Sequence, residues 1–305
     1  MPIFAASNRQ NRQKMNFWKH FWYLLITLGV GLVVCVGLQM VLVPLLLPQH
    51  QVVFYHAVQW SQNLFLMIGA PLLWTWYIYV RGCAHRGTAI SAVFDVLQLR
   101  RVDVRMLALT LFLMIASVPV LDALEVFNSR LPLSEGLRAY AESESVRNME
   151  VLRVMLQPNG VLGWIALIAL MSLATAVGEE VLFRGAMLQC LLRDSRINHH
   201  VVAWLVGLIF ALIHFELLGL LPRWLLGTLF VYLVYWSRSL WPAIMAHALN
   251  NLLALISYKT ASPQELLQTT NKDYGFSPLI ILLSAVATAA ILWQMSRSKD
   301  EKVCC

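Results

Sequence analysis

Long uncharged apolar runs alternate along the chain with short polar segments. The first run, 21–47, holds 27 residues without a charge, more than the roughly 20 that a membrane-crossing helix needs. Further runs cover 52–80, 106–121, 161–192, 201–221, 224–236, 241–258 and 277–293, which makes eight predicted spans. Two are weak: 106–121 is short and runs into Asp122 and Glu125, and 224–236 has only 13 residues. Between 128 and 159, Leu133, Leu137 and Tyr140 recur at helical spacing among Glu135, Arg138, Glu142, Glu144 and Arg147. That pattern predicts an amphipathic helix in the membrane interface, which either covers a site or simply connects two spans.

Composition agrees with a membrane setting. The 305 residues are 59% hydrophobic and 13% charged, whereas soluble chains are about half apolar and about a quarter charged. A disordered chain, a soluble enzyme and a nucleic-acid binder are excluded. The net charge of +7 reads as topology: fifteen of the 23 lysines and arginines fall on the side of the two termini, seven on the other, and Arg184 lies inside a run. The positive-inside rule then puts both termini in the cytoplasm. The basic stretch Arg9, Arg12, Lys14 and Lys19 precedes an apolar run too long for a signal peptide, so the first helix is expected to stay uncleaved. The predicted fold is an all-α, polytopic membrane protein of about eight transmembrane helices. Its expected parts are an N-terminal membrane region at 1–160, a core at 161–257, and a last helix with a cytoplasmic tail at 258–305.

Cys35, Cys83, Cys190, Cys304 and Cys305 have neither metal-like nor disulfide-framework spacing. The terminal Cys304–Cys305 pair is a candidate lipid acceptor, with free thiols the plainer reading.

Charged side chains at membrane depth are costly, so each raises a functional question. Glu179, Glu180 and Arg184 interrupt one run, His214 a second, and His247, Asn250 and Asn251 a third. Residues four apart share a helix face, which pairs Glu180 with Arg184 and leaves Glu179 the freer carboxylate, suited to a general base. Phe210 can pack beneath His214, and His247 with Asn251 can present an imidazole and an amide to a developing oxyanion. Each has a bland reading: a histidine strut between helices, a structural ion pair. His56, Gln59, Gln62 and Asn63 read as interfacial or packing groups, His85, His199 and His200 as solvated, and Glu216 as exposed. The conjunction on three spans favours chemistry. Ser172 and Ser239 lack the context of a nucleophile elbow, and no predicted span holds an aspartate.

Glu179-Glu180-Val181-Leu182-Phe183-Arg184, Phe210 to His214, and His247 to Asn251 resemble the EExxxR, FxxxH and HxxxN motifs of the CPBP intramembrane proteases, the Abi or CAAX-protease family, which includes the CAAX prenyl endoproteases. The resemblance covers roughly 161–257. It implies a membrane-embedded, all-helical peptidase with a conical or bundled catalytic core. In it Glu179 and His214 activate water, His247 and Asn251 stabilise the oxyanion, and Glu180 and Arg184, with Phe210, support the geometry. The family is commonly labelled metalloprotease, and Glu179, His214 and His247 would make a three-ligand site for a divalent metal such as Zn2+. A metal-free mechanism uses the same residues, and both stay open here. No HExxH occurs. The expected partners are the lipid bilayer and a membrane peptide or protein substrate, prenylated or not, with no nucleic acid. A bacterial inner membrane is preferred to the endoplasmic reticulum, and access to Glu179 from the cytoplasmic leaflet is expected. A proton-coupled transporter and a non-catalytic membrane adaptor are the competing readings.

Overall fold

The computed structural model describes residues 17–47, 49–82, 89–157, 160–192, 197–260 and 275–301. The basic stretch through Lys14, His85 and the Cys304–Cys305 pair lie outside the described residues. Among the described residues the chain forms ten helices and no strand. They are α1 (Phe17–Leu46), α2 (51–82), α3 (Ala89–Val96), α4 (Val104–Ser129), α5 (Glu135–Met155), α6 (Gly160–Leu191), α7 (His199–Leu212), α8 (Leu217–Ser237), α9 (Trp241–Thr260) and α10 (Pro278–Glu301).

A helix stands at each of the eight apolar runs, and α1, α4, α6, α8 and α10 are long and apolar enough to cross a membrane. The protein is therefore a multi-pass membrane protein. The other three fall short for separate reasons: α7 has 14 residues, α9 carries His247, Asn250 and Asn251, and α2 is rich in amides and aromatic groups.

The boundary expected between 221 and 224 lies instead at 213–216, just after α7. Pro222 stands in the first turn of the α-helical part of α8, where its missing N–H costs nothing. The weak 13-residue run is thus part of a 21-residue helix. Likewise α4 continues past Asp122 and Glu125 to Ser129, so an aspartate does lie within a spanning helix. The amphipathic segment is helical as expected, with Ala141, Ser145 and Met155 buried and Leu137 and Tyr140 exposed.

The main core joins Phe183 of α6, Val202, Val206 and Phe210 of α7, Phe230 and Leu233 of α8, and Ala243 and Ala246 of α9, with Leu113 and Met114 of α4 against them. Helices in lipid approach closely where residues are small. At the α7–α8 crossing a Cβ on Gly207 would lie 2.6 Å from the Thr228 nitrogen. At the α2–α6 contact a Cβ on Gly178 would lie 3.0 Å from Met67 Cβ. The second contact puts α2 beside the turn that carries Glu179.

Candidate active site

Glu179 and Glu180 sit on α6 between two π-helical stretches, Ala169–Ala174 and Val181–Met187. Such widened turns are frequent where helices serve a site. Both glutamates are buried. Burial of a charge is tolerable only when it is paired and hydrogen-bonded, and Glu180 meets that condition. Its Oε1 accepts from Arg184 Nη1 at 2.7 Å, while Arg184 Nη2 donates to the Gly227 carbonyl at 2.7 Å. The guanidinium also lies over the rings of Phe210, at 4.7 Å, and Phe230, at 5.3 Å. Glu180 and Arg184 are fully inaccessible, so the pair ties α6 to α8.

The same Glu180 oxygen accepts a hydrogen bond from Nδ1 of His247, at 2.8 Å. This contact runs between helices and has no local spacing in the sequence to announce it. With Nδ1 occupied, Nε2 of His247 faces Glu179 Oε2 at 3.6 Å. His214 is oriented in the same manner: its Nδ1 donates to the Phe210 carbonyl at 2.7 Å, and its Nε2 stands 4.0 Å from the same Glu179 oxygen. The Phe210 ring packs edge-on against both imidazoles, at 5.0 and 5.6 Å between centroids, and Phe230 stacks on His247 at 5.3 Å. That Glu179 oxygen is buried without a hydrogen-bond partner among the described residues. Its spacing from each imidazole is too long for a direct hydrogen bond.

Asn251 lies one turn beyond His247 and donates from Nδ2 to the Met171 carbonyl at 3.3 Å. Glu179, His214 and Asn251 line a cavity of about 390 Å³, together with Met171, Thr175 and Tyr258. Three of the four expected catalytic side chains thus line one cavity, while buried His247 stands behind Glu179, beside Glu180, Phe210 and Phe230.

Gln59 and Gln62, read from the sequence as interfacial or packing groups, line this cavity. Gln59 Nε2 donates to Thr175 Oγ1 at 3.2 Å, and Asn63 Nδ2 to the same hydroxyl at 3.3 Å. The i,i+3 spacing of Gln59 and Gln62 was the available signal, since it sets two amides on one face of an otherwise apolar helix. His199 and His200 lie at the other end of α7, stacked on Tyr235 and hydrogen-bonded to Tyr232, respectively. Glu216, expected to be exposed, is part-buried and pairs with Arg223. Ser172 donates to the Ala248 carbonyl and Ser239 to the Arg100 carbonyl, so each hydroxyl is engaged by a backbone oxygen.

A zinc ion needs its donors about 2.0–2.3 Å from one centre. Among the described residues no group of three or more histidine, cysteine, aspartate or glutamate side chains is arranged to hold a metal ion. The three-ligand alternative of Glu179, His214 and His247 thus has no metal-site arrangement to support it among the described residues.

Residues 161–253 match the family model described as type II CAAX prenyl endopeptidase Rce1-like. The matched stretch runs from α6 into α9 and contains all seven residues above. No curated protein and no solved structure matches the chain. Three motifs in order and this family match lead to one conclusion: residues 161–253 are a domain of the CPBP family, the CAAX proteases.

Proposed function

We propose that the protein is an intramembrane endopeptidase that hydrolyses a peptide bond of a membrane-associated or lipidated peptide or protein. The observation that carries this reading is the single Glu179 oxygen faced by two imidazole Nε2 atoms, 3.6 and 4.0 Å away, at the floor of the cavity. A water molecule in that gap can donate one hydrogen to the carboxylate and the other to Nε2 of His214.

Glu179 takes a proton from the water as its oxygen attacks the scissile carbonyl carbon. His214, whose Nδ1 proton is held on the Phe210 carbonyl, accepts the second hydrogen bond and fixes the attack direction. The oxyanion meets the second N–H of Asn251 Nδ2. It also meets Nε2–H of His247 when that ring carries both protons, one of them on Glu180. Collapse of the tetrahedral species breaks the C–N bond, and the proton on Glu179 passes to the leaving amine. Positioned proton transfer of this kind contributes about 10²–10⁴-fold. No step passes through a metal.

The eight apolar runs act as eight crossings in this reading, with both termini in the cytoplasm of a bacterial cell. The catalytic core comprises 161–257, with 1–160 and 258–305 flanking it. A transporter would favour paired broken helices in both halves. Here, among the described residues, the buried carboxylates belong to α6 alone.

The test compares wild type with Glu179→Gln in nanodiscs, using a farnesylated fluorogenic peptide and measuring bound metal in parallel. Wild type is expected to cleave, and the variant to lose at least about 100-fold in rate while its unfolding midpoint stays unchanged. Equal cleavage by both would remove Glu179 as the base. Stoichiometric zinc that restores a lost rate would make the two histidines ligands instead.

A further inference from the structure

The family match covers 161–253, yet one wall of the cavity comes from outside it. Gln59, Gln62 and Met67 of α2 stand in the lining with Glu179, His214 and Asn251. Close packing brings α2 there. A Cβ on Gly178, the residue before Glu179, would lie 3.1 Å from Asn63 Oδ1 as well as 3.0 Å from Met67 Cβ. From Gln62 to Gly69 α2 is also π-helical, as α6 is on either side of its glutamates.

Hydrogen bonding fixes which way the Gln59 amide points. Thr175 lies four residues before Glu179 on α6, and its hydroxyl donates to the Leu170 carbonyl at 3.0 Å. A hydroxyl has a single proton, so toward Gln59 and Asn63 this oxygen can only accept. Gln59 must therefore turn Nε2 to it, at 3.2 Å, and Asn63 its Nδ2, at 3.3 Å. Gln59 Oε1 is left as an acceptor with no donor among the described residues. Gln62 makes no side-chain hydrogen bond among the described residues. Two amides with hydrogen-bonding capacity to spare thus face a cavity whose remaining wall includes Leu152, Ile213, Ala254 and Leu255. A ligand that displaces water from such groups must replace the hydrogen bonds it removes.

An extended peptide offers the matching pair. The N–H and C=O of one residue project to the same side of a strand, where antiparallel partners exchange both. Residues three apart on a helix hold their Cβ atoms about 5–6 Å from each other, so two glutamine side chains can converge on that pair. We infer that Gln59 and Gln62 are substrate-binding residues that read main chain: Gln59 Oε1 accepts the N–H, and Gln62 Nε2 donates to the C=O, of one substrate residue near the scissile bond. The side chain of that residue is not read, but a proline there is refused because it lacks the N–H. The inference rests on the endopeptidase reading, and peptide binding separates the two in the test.

The test uses the full chain in nanodiscs and the farnesylated fluorogenic peptide, with a series in which each non-scissile amide N–H in turn is replaced by an ester oxygen. One ester is expected to lower the wild-type kcat/KM roughly fivefold, as for one lost hydrogen bond, and to have no further effect in Gln59→Met. Asn63→Ala cuts the other bond to Thr175 from a residue outside the lining, and is expected to keep the wild-type sensitivity to that ester. Gln62→Leu breaks no hydrogen bond within the described residues, so its unfolding midpoint is expected to hold while kcat/KM falls roughly fivefold, mostly through KM. If no ester distinguishes wild type from Gln59→Met, or if Gln62→Leu cleaves with wild-type kcat and KM, the inference is overturned while the endopeptidase stands. Should wild type cleave no peptide, the anisotropy of the labelled peptide, with empty nanodiscs as the blank, decides. Binding that Gln62→Leu weakens roughly fivefold keeps the amide pair and removes the endopeptidase. Binding that is absent, or unchanged in Gln62→Leu, removes both.

Discussion

The Nδ1 of His247 lies 2.8 Å from Glu180 Oε1, and the same oxygen receives Arg184 at 2.7 Å. One carboxylate thus orients an imidazole and neutralises a guanidinium that is fully out of contact with water. The two adjacent glutamates consequently predict opposite phenotypes. Glu180→Gln leaves a fully buried guanidinium without its counter-charge, and breaking such a pair costs about 3–5 kcal/mol. Its unfolding midpoint, read by tryptophan fluorescence in detergent, is expected to fall steeply, with activity lost alongside. Glu179→Gln is expected to keep its midpoint and lose only cleavage. Similar midpoints for the two variants would refute this division of labour.

Much of this site was readable from spacing. Glu180 with Arg184, Phe210 with His214, and His247 with Asn251 are each four residues apart, and helical geometry alone puts each pair on one face. The contact between Glu180 and His247 was not readable, because it joins residues 67 positions apart through helix packing rather than period. Nor was the cavity wall of Gln59 and Gln62, since an amide facing a pocket and an amide facing lipid headgroups have the same sequence signature. The eight apolar runs marked eight helices, but hydropathy misplaced the turn that carries His214. Ile213, Phe215 and Leu217 are as apolar as the helix before them, while Pro222, the conspicuous breaker, sits harmlessly in a first turn. The π-helical stretches leave no trace in composition at all.

The α7–α8 crossing sets where Phe210 and His214 stand, and Gly207 permits it. A Cβ at Gly207 would lie 2.3 Å from Thr228 Oγ1, 2.6 Å from its nitrogen and 3.0 Å from its Cα. Two of those atoms are backbone, so no rotamer change relieves the clash. Gly207→Ala is expected to cost about 1–3 kcal/mol or more. Because a 1 Å misplacement of reacting groups can cost about 100-fold, kcat should drop beyond what the lost stability explains. Thr228→Ala alone is expected to be mild, since its buried hydroxyl has no partner among the described residues. The double variant should be no better than Gly207→Ala. Recovery of wild-type stability and kcat by Thr228→Ala would mean that the hydroxyl, rather than the backbone, sets the helix separation.

The turn that bears His214 is held from a distance by Asn128 at the end of α4. Its Nδ2 donates to the Leu217 carbonyl at 2.8 Å, and its Oδ1 accepts from the Leu221 N–H at 3.0 Å. The second bond satisfies one of the first-turn N–H groups that a helix leaves without an internal partner. Asn128→Ala removes both bonds and leaves part-buried backbone groups unpaired, for an expected loss of about 1–3 kcal/mol. Asn128→Asp keeps nearly the same shape and still accepts from Leu221, but it sets a carboxylate oxygen against the Leu217 carbonyl. It is therefore expected to be at least as damaging as alanine when ionised. In both variants the segment from Ile213 to Gly219 loses its tether, and His214 loses the fixed height that water activation requires. The expected kinetic signature is a fall in kcat of at least about tenfold, equal to 1.4 kcal/mol of transition-state stabilisation, with a smaller change in KM because the cavity wall from α2 and α9 is untouched. Single-turnover rates on the fluorogenic peptide, set beside thermal midpoints, separate the two effects. A variant that unfolds earlier yet turns over at the wild-type rate would show that His214 is held by Phe210 alone.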